Sequence, residues 1–136
     1  MELQVGVKVL LQNKERKYLL LKRSPEKYPN APLEWDIVGG RINPGLTLLD
    51  NLKREVKEET GLDLTGEVRL VAAQDILRME GRHIVRLTYV GEIEGAPKLS
   101  DEHTDFKWFS IEELKHFSEG KLDLYFKELL EKGLFG

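Results

Sequence analysis

Hydrophobic residues follow two different periods in the first third of the chain. From Leu3 to Leu11 they stand at every second position, the period of a strand with one buried face. After a polar turn at 13–16, Tyr18 to Leu21 is an unbroken apolar run, typical of a strand buried on both faces. We expect these strands to pair as a hairpin. Ser24 to Leu33, with three prolines, predicts an irregular loop, and Trp35 to Val38 a short strand.

The pattern becomes helical between positions 47 and 60. Thr47 is a residue type that caps helix starts, and Gly61 is one that ends helices. Leu49, Leu52 and Val56 recur at helical spacing, so we predict a helix that buries this side.

The second half of the chain predicts three more strands and two helices. The first two strands are joined around Glu80 and Gly81, and Ser110 with Glu113 has the spacing of a capping box. The predicted strands are 68–77, 83–93 and 106–109, and the predicted helices are 110–116 and 122–132.

Composition narrows the class of protein. The 136 residues fit one domain spanning 1–136, and 40% hydrophobic residues suffice for a core. A net charge of -3, from 21 basic and 24 acidic residues, offers no basic field for a nucleic-acid polymer. No stretch is apolar enough to span a membrane, and the chain has no cysteine. We therefore expect a cytoplasmic protein with neither nucleic-acid nor membrane partners.

Three carboxylates mark the predicted helix as the place where chemistry could occur. Glu55, Glu58 and Glu59 project within about 100° of arc, where like charges repel by a few tenths of a kcal/mol per pair. A cation would relieve this repulsion, and Mg²⁺ suits carboxylate oxygens that share it with phosphates. Taken alone, the cluster is more typical of a solvated helix face that includes Lys53 and Lys57.

The run from Gly40 to Leu62 closely resembles the Nudix box. That pattern is Gly, five residues, Glu, seven residues, Arg-Glu, an aliphatic residue, any residue, Glu-Glu, any residue, Gly and an aliphatic residue. Eight of its nine fixed positions match, and Leu46 stands where the pattern has its first Glu. The segments 35–40 and 101–109 resemble the family's flanking regions, so nearly the whole chain is covered.

The resemblance implies a fold, an activity and a metal. The fold would be the Nudix alpha/beta/alpha sandwich, an α/β (α+β) fold with a mixed sheet. The activity would be Mg²⁺-dependent hydrolysis of a diphosphate linkage in a small nucleotide-type substrate, with Mn²⁺ as a possible substitute. A nucleoside triphosphate, ADP-ribose and a nucleotide sugar are all open. Because Leu46 departs from the pattern, a nucleotide-binding Nudix-fold protein without catalysis is the alternative.

Site roles are carried over residue by residue. Glu58 and Glu59 would be the principal metal ligands, Glu55 a further ligand or the general base, and the Gly40 carbonyl a backbone ligand. Arg54 would orient a carboxylate.

Residues outside the box supply further candidates. Glu102 is the alternative base, against an ordinary surface carboxylate. Arg23 could bind phosphate or be a surface arginine, and Trp35 could stack on a base or be a core residue. Many Nudix relatives dimerise, so a homodimer is possible.

Overall fold

The fold was determined from a computed structural model, which describes residues 1–29 and 34–135. The predicted loop at Ser24–Leu33 falls partly outside the described residues. Its described part, Ser24–Pro29, is irregular as expected. In chain order the elements are β1 (Glu2–Gln12), β2 (Tyr18–Arg23), β3 (Glu34–Asp36), β4 (Val38–Arg41), α1 (Leu48–Thr60), β5 (Arg69–Ile76), β6 (Arg82–Glu92), β7 (His103–Phe109), α2 (Ile111–Lys115), β8 (Lys121–Leu122) and α3 (Leu124–Glu131).

The strands of the described residues form one mixed sheet. Its order is β5-β6-β1-β2-β3-β8, with β4 also paired to β1 and β7 to β2. β1 runs parallel to β6 along eleven residue pairs, and β3 runs parallel to β8, while the other pairings are antiparallel. This confirms the mixed sheet that the resemblance implied.

Both faces of the sheet are covered by helices. On one face, Val7, Val9 and Leu11 of β1 pack in a core with Leu52 and Val56 of α1. The other face carries a second core, which contains residues of β1, β2, α2 and α3: Leu10, Leu20, Leu114, Phe126 and Leu129. The alpha/beta/alpha sandwich is therefore confirmed. Because helices cover both faces, the expectation of a single buried face for β1 is wrong.

The predicted hairpin and short strand take a different form. β1 and β2 pair only at Gln12 and Tyr18, because β4 occupies the edge of β1 from Gly6 to Val9. The predicted strand at Trp35–Val38 is two strands, since the chain leaves β2 after β3 and joins β1 as β4. Ile37 is the crossing point between the two halves of the sheet.

A buried ion cluster holds the chain at this crossing. The Asp36 carboxylate accepts hydrogen bonds from the Ile37 amide at 2.7 Å, Arg23 Nη2 at 2.6 Å and Arg86 Nη2 at 3.2 Å, and it lies 3.0 Å from Lys8 Nζ. Burial by itself raises the pKa of Asp36, but the positive charges of Arg86, Lys8 and Arg23 outweigh it and lower the pKa below its ordinary value. The carboxylate is therefore ionised, and it fixes the path into β4.

The C-terminal part differs from its prediction by two residues. α3 begins at Leu124 rather than Leu122, because the Asp123 carboxylate caps it by accepting from the Tyr125 and Phe126 amides. The two residues before the cap form β8, a strand too short to leave a period in the sequence. α2 has the expected capping box, with both Ser110–Glu113 hydrogen bonds present.

Within the described residues, no helix has the length and apolar character needed to cross a membrane. That residues 1–136 form a single domain stays a prediction.

Candidate active site

Helix α1 begins and ends where the sequence predicts. Thr47 Oγ1 accepts a hydrogen bond from the Asp50 amide at 3.0 Å, and Gly61 ends the helix in the left-handed conformation at φ 71°. Its buried side differs from the prediction, since Leu49 is 43% exposed while Glu59 is buried beside Val56. The helix therefore directs a carboxylate, rather than Leu49, into the protein.

The three glutamates of α1 have different surroundings. The side chain of Glu59 is 4% exposed, that of Glu55 12% and that of Glu58 59%. Glu59 Oε2 accepts a hydrogen bond from the Gly39 amide of β4 at 3.1 Å. A Cβ atom added to Gly40 would lie 2.8 Å from Glu55 Oε2. Glycine at position 40 thus lets the Glu55 carboxylate approach the backbone of β4.

Glu59 carries a strongly perturbed carboxyl group. Burial raises the pKa of Glu59 well above its ordinary value, and the neighbouring Glu55 adds to the effect, against the opposing charge of Lys8 and the Gly39 hydrogen bond. Lys8 Nζ donates to the Gly39 carbonyl at 3.1 Å and to the Ile37 carbonyl at 3.3 Å. Lys8 therefore links the ion cluster to the part of β4 that faces the glutamates.

Arg54 contacts the other two carboxylates. Its Nη1 atom donates to Glu55 Oε1 at 2.8 Å and to Glu58 Oε2 at 3.2 Å, and its Nη2 atom donates to the Arg41 carbonyl at 3.2 Å. The structure thus gives Arg54 the geometry expected of a residue that orients carboxylates. Across residues 1–29 and 34–135, no three His, Cys, Asp or Glu side chains converge closely enough to hold a metal ion. Glu58 lies against Arg54 instead of joining Glu55 and Glu59.

The start of β7 brings further polar groups to the same place. His103 Nε2 is 3.7 Å from Glu59 Oε1, and the His103 and Tyr28 rings are 6.5 Å apart. Burial, together with the positive charges of Lys8 and Arg23, lowers the pKa of His103 to about 4. Burial and the charge of Glu102 raise the pKa of Tyr28, and Glu59 and Glu55 add to this. Glu102 itself is exposed and shares this electrostatic environment.

Lys8 and His103 were missed as site residues by the sequence reasoning. Both lie far along the chain from α1, and neither belongs to the Nudix box. The alternation in β1 gave no signal for Lys8, because a polar residue between Val7 and Val9 fits a strand with one buried face. Lys8 becomes informative only once helices are seen to cover both faces of the sheet. A charged residue placed among buried positions of a strand requires a partner inside the protein.

Two predicted substrate contacts are not supported. Trp35 is 2% exposed, its ring packs edge-on against Phe109 and Phe117, and its Nε1 donates to the Glu119 carbonyl at 3.3 Å. It is a core residue and has no free face on which a base could stack.

Arg23 is likewise committed to the protein interior. Its Nη1 atom donates to Glu34 Oε1 at 2.6 Å, and its Nη2 atom donates to Asp36 and lies 3.6 Å from Asp123 Oδ1. Its guanidinium also lies over the Tyr28 ring at 5.5 Å. Because carboxylates occupy its donors, a phosphate contact by Arg23 is not supported.

A cavity of 840 Å³ lies elsewhere, between α2 and α3. Its polar lining is largely basic, with Arg78, Lys115, Lys121 and Lys127. None of the α1 glutamates lines it. The cavity and the carboxylates of α1 therefore lie at different places, and the carboxylates are the candidate active site.

Comparison with known proteins gives the family. A family model described as the NUDIX domain matches residues 2–130. The chain belongs to the Nudix hydrolase family. Among curated relatives of this Nudix protein, the nucleoside triphosphatase NudI of Escherichia coli O17:K52:H18 (strain UMN026 / ExPEC) is 30% identical over 118 residues, covering 79% of this chain and 82% of NudI. A Bacillus subtilis (strain 168) protein provisionally named an 8-oxo-dGTP diphosphatase is 30% identical over 107 residues, which cover 77% of this chain and 65% of that protein. The match thus spans just under two thirds of the Bacillus relative.

Solved structures agree on the fold of this Nudix protein. The crystal structure of the MutT protein from Methanosarcina mazei Go1 matches with a TM-score of 0.84 at 28% identity, covering 96% of this chain and 92% of that one. The solution structure of the E. coli ORF135 protein matches with a TM-score of 0.77 at 26% identity, covering 96% and 88%. By family, the chain is a pyrophosphohydrolase.

Proposed function

We propose that this Nudix protein is a Mg²⁺-dependent hydrolase that cleaves a diphosphate linkage in a nucleoside diphosphate derivative. The observation that carries this proposal is the placement of Glu55 and the buried Glu59 together against the glycine backbone of β4. Burial, with the neighbouring Glu55, raises the pKa of Glu59 despite the charge of Lys8, so an ionised Glu59 beside an ionised Glu55 favours a further positive charge there. A bound cation would supply that charge.

The residues present fit a hard divalent cation. Nudix hydrolases generally use a divalent metal, and the candidate ligands are all oxygens: the carboxylates of Glu55, Glu58 and Glu59 and the Gly40 carbonyl. Mg²⁺ prefers such ligands and keeps water and substrate phosphates in its remaining positions, and Mn²⁺ accepts a similar set. Glu58 is exposed and held by a single 3.2 Å contact with Arg54, so it can turn towards the other carboxylates at low cost.

The residues around the metal position have different roles in the reaction. When bound, the divalent cation neutralises charge on the phosphate oxygens and activates the attacking water. Water attacks one phosphorus in line, the bond from that phosphorus to the bridging oxygen breaks, and a carboxylate accepts the proton of the water. Arg54 orients Glu55 and Glu58, and the Gly39 amide orients Glu59. No covalent intermediate is required.

Two carboxylates can accept the proton. The Glu55 carboxylate lies close to Gly40 of β4 and is oriented by Arg54. Glu102 precedes β7, and its carbonyl accepts the Ser24 amide at 2.9 Å, which ties its loop to the end of β2. Because Glu102 is exposed and near Tyr28, it is free to move towards a bound substrate, and we propose it as the base when Glu55 binds metal.

The names of the relatives favour a nucleoside triphosphate among the substrates that the sequence leaves open. One relative is named a nucleoside triphosphatase, and another is provisionally named a diphosphatase of 8-oxo-dGTP. ADP-ribose and nucleotide sugars complete the set to be tested. A homodimer and a cytoplasmic location stay predictions from sequence.

A substrate panel tests this function. Phosphate release, with pyrophosphatase or phosphatase added, is measured for nucleoside triphosphates, ADP-ribose, nucleotide sugars and dinucleoside polyphosphates with Mg²⁺ and then with Mn²⁺. We expect turnover of one class, lowered at least about 100-fold by Glu58→Gln, because a metal ligand contributes several kcal/mol to the transition state. Glu112→Gln, an exposed helix glutamate on α2, is the matched control and should leave turnover unchanged.

The alternative, nucleotide binding without catalysis, predicts a different result. Calorimetry would then detect nucleotide binding while the whole panel gives no product with either metal. Equal turnover in Glu58→Gln and the parent protein would contradict the hydrolase assignment at this site.

A further inference from the structure

Asn51 lies at the centre of a hydrogen-bond network that joins the loop before α1 to the helix. Its side chain is fully buried in the second turn of α1. Oδ1 accepts from the Asn43 amide at 2.7 Å and from Arg54 Nη2 at 3.1 Å. Nδ2 donates to the Thr47 carbonyl at 2.9 Å and the Leu46 carbonyl at 3.2 Å. Both lone pairs and both protons of the amide are therefore used.

The network continues from Asn51 to the candidate catalytic carboxylates. Arg54 accepts no hydrogen bonds and directs its donors to four oxygens, those of Asn51, the Arg41 carbonyl, Glu55 and Glu58. The planar guanidinium fixes the relative directions of these contacts. A shift of Asn51 would therefore move the group that orients Glu55 and Glu58.

Position 46 cannot supply this function. Leu46 is 48% exposed and has an apolar side chain, so its side chain neither accepts a hydrogen bond from the loop nor attracts Arg54. Its backbone takes part instead: the carbonyl accepts from Asn51 Nδ2, and the amide donates to the Asn43 carbonyl at 3.4 Å. The position where the Nudix pattern has its first glutamate thus has no polar side chain, and a buried amide five residues later holds the loop.

We propose that Asn51 is a positioning residue for hydrolysis, which sets the loop at 43–47 and the Arg54 guanidinium in place of a carboxylate at position 46. This inference rests on the proposed function, because Arg54 acts here by orienting Glu55 and Glu58. Asn51 would thereby compensate for the glutamate that the Nudix pattern has at position 46 and that this chain lacks.

The physical reason is the burial of the Asn51 amide itself, which ties part-buried groups of the loop and of Arg54 to the helix. Removing its amide leaves the Asn43 amide and the Leu46 carbonyl without their partner and removes one of the contacts of Arg54. Each of these hydrogen bonds contributes about 0.5–1.5 kcal/mol, more where the donor is the charged guanidinium, so without them the loop would rearrange. The packing of α1 through Leu52 and Val56 is untouched, so the fold should survive. The loss should fall on the orientation of the carboxylates.

Kinetics of four variants test the proposal. Asn51→Ala should lower kcat about 10–100-fold with KM changed less than about threefold, as is typical when a partner of a metal ligand is lost. Leu46→Glu alone should change kcat less than about threefold, because Asn51 already holds the loop. Leu46→Glu in the Asn51→Ala background should restore most of the lost kcat, an effect that a purely structural asparagine does not predict. Asn13→Ala is the matched control, since Asn13 Oδ1 also accepts two backbone amides but lies in the β1–β2 turn.

A second measurement does not depend on turnover. In the metal-free protein, hydrogen exchange of the Asn43 amide and the NMR signals of the Arg54 guanidinium report the network directly. We expect slow exchange in the parent protein and in Asn51→Asp, which keeps the acceptor oxygen, and fast exchange in Asn51→Ala. If Asn51→Ala does not fold, Asn51→Asp replaces it in the kinetic comparison. Asn51→Asp loses only the two N–H donors, so it should lower kcat by less than Arg54→Ala does.

The outcomes separate this inference from the proposed function. A parent protein that turns over nothing refutes the hydrolase assignment, while the exchange data still test the network. A parent protein that is active, with a folded Asn51→Ala equally active or with no recovery on adding Leu46→Glu, would overturn the role of Asn51.

Discussion

The Asp36→Asn substitution tests whether the buried ion cluster holds the fold at the crossing of the sheet. Asp36 is 1% exposed and is the carboxylate shared by Lys8, Arg23 and Arg86. Asparagine has nearly the same shape but no charge, so the variant keeps the packing. It leaves the two arginines with Glu34 and Asp123, and Lys8 with backbone carbonyls. The change therefore isolates electrostatics from volume.

The expected loss of stability is large. Removing one partner of a buried ion pair costs about 3–5 kcal/mol, because the remaining charge stays desolvated. For a domain of this size, that corresponds to a fall in Tm of about 10–20 °C. Asp75→Asn is the control, since Asp75 is also paired, with His83 at 2.7 Å, but is 67% exposed. Its effect should stay within about 0.5 kcal/mol.

The pH dependence gives a second signature. The folded-state pKa of Asp36 is lowered below its unfolded value of about 3.9, so its contribution is fully present above that value and is lost as pH falls towards the folded pKa. Urea unfolding of the parent and variant should therefore differ by a constant amount from about pH 7 to pH 5, and the difference should shrink below about pH 4. Equal unfolding midpoints at pH 7, or a difference that stays constant down to pH 3, would refute the reasoning.

Three further predictions concern the site and the core. Gly40→Ala should keep the fold and lower kcat at least about tenfold, because its Cβ would lie 2.8 Å from Glu55 Oε2; full activity would show that the close approach is irrelevant. Glu102→Gln should lower kcat about 100-fold or more and remove the acidic limb of the pH–rate profile if it is the base, whereas an unchanged profile assigns the base to Glu55. Trp35→Phe should lower the unfolding free energy by about 1–3 kcal/mol and leave KM unchanged, since the side chain is in the core, and a raised KM would return Trp35 to the substrate site.

The parts of the structure that could be predicted from sequence depend on local signals. Thr47 and Gly61 fix the ends of α1 through their own backbone preferences, and Ser110 with Glu113 fixes the start of α2. The three glutamates could be identified because they lie within one helix and match the spacing of the Nudix box. Local capping and periodicity therefore predicted the helices, and the motif spacing predicted the candidate metal ligands.

The remaining features depend on contacts between distant segments. The break at Ile37 arises because β3 pairs with β2 and β4 with β1, which no run of residues encodes by itself. Arg23 reads as an exposed arginine at a strand end, yet its partners Glu34 and Asp36 lie across the sheet. Asn51 reads as an ordinary polar residue of a helix, and its meaning comes from the loop folded against it.

The affinity for Mn²⁺, compared between the parent protein and Glu59→Gln, reports the metal position at α1 without requiring a known substrate. Electron paramagnetic resonance counts free Mn²⁺ during titration, with Glu67→Gln, an exposed loop glutamate, as the control. We predict one site in the parent and the control, weakened at least about 100-fold in Glu59→Gln, since losing even an outer partner of a ligand costs about 10–100-fold. Equal affinity in all three proteins would contradict a metal site formed by the carboxylates of α1.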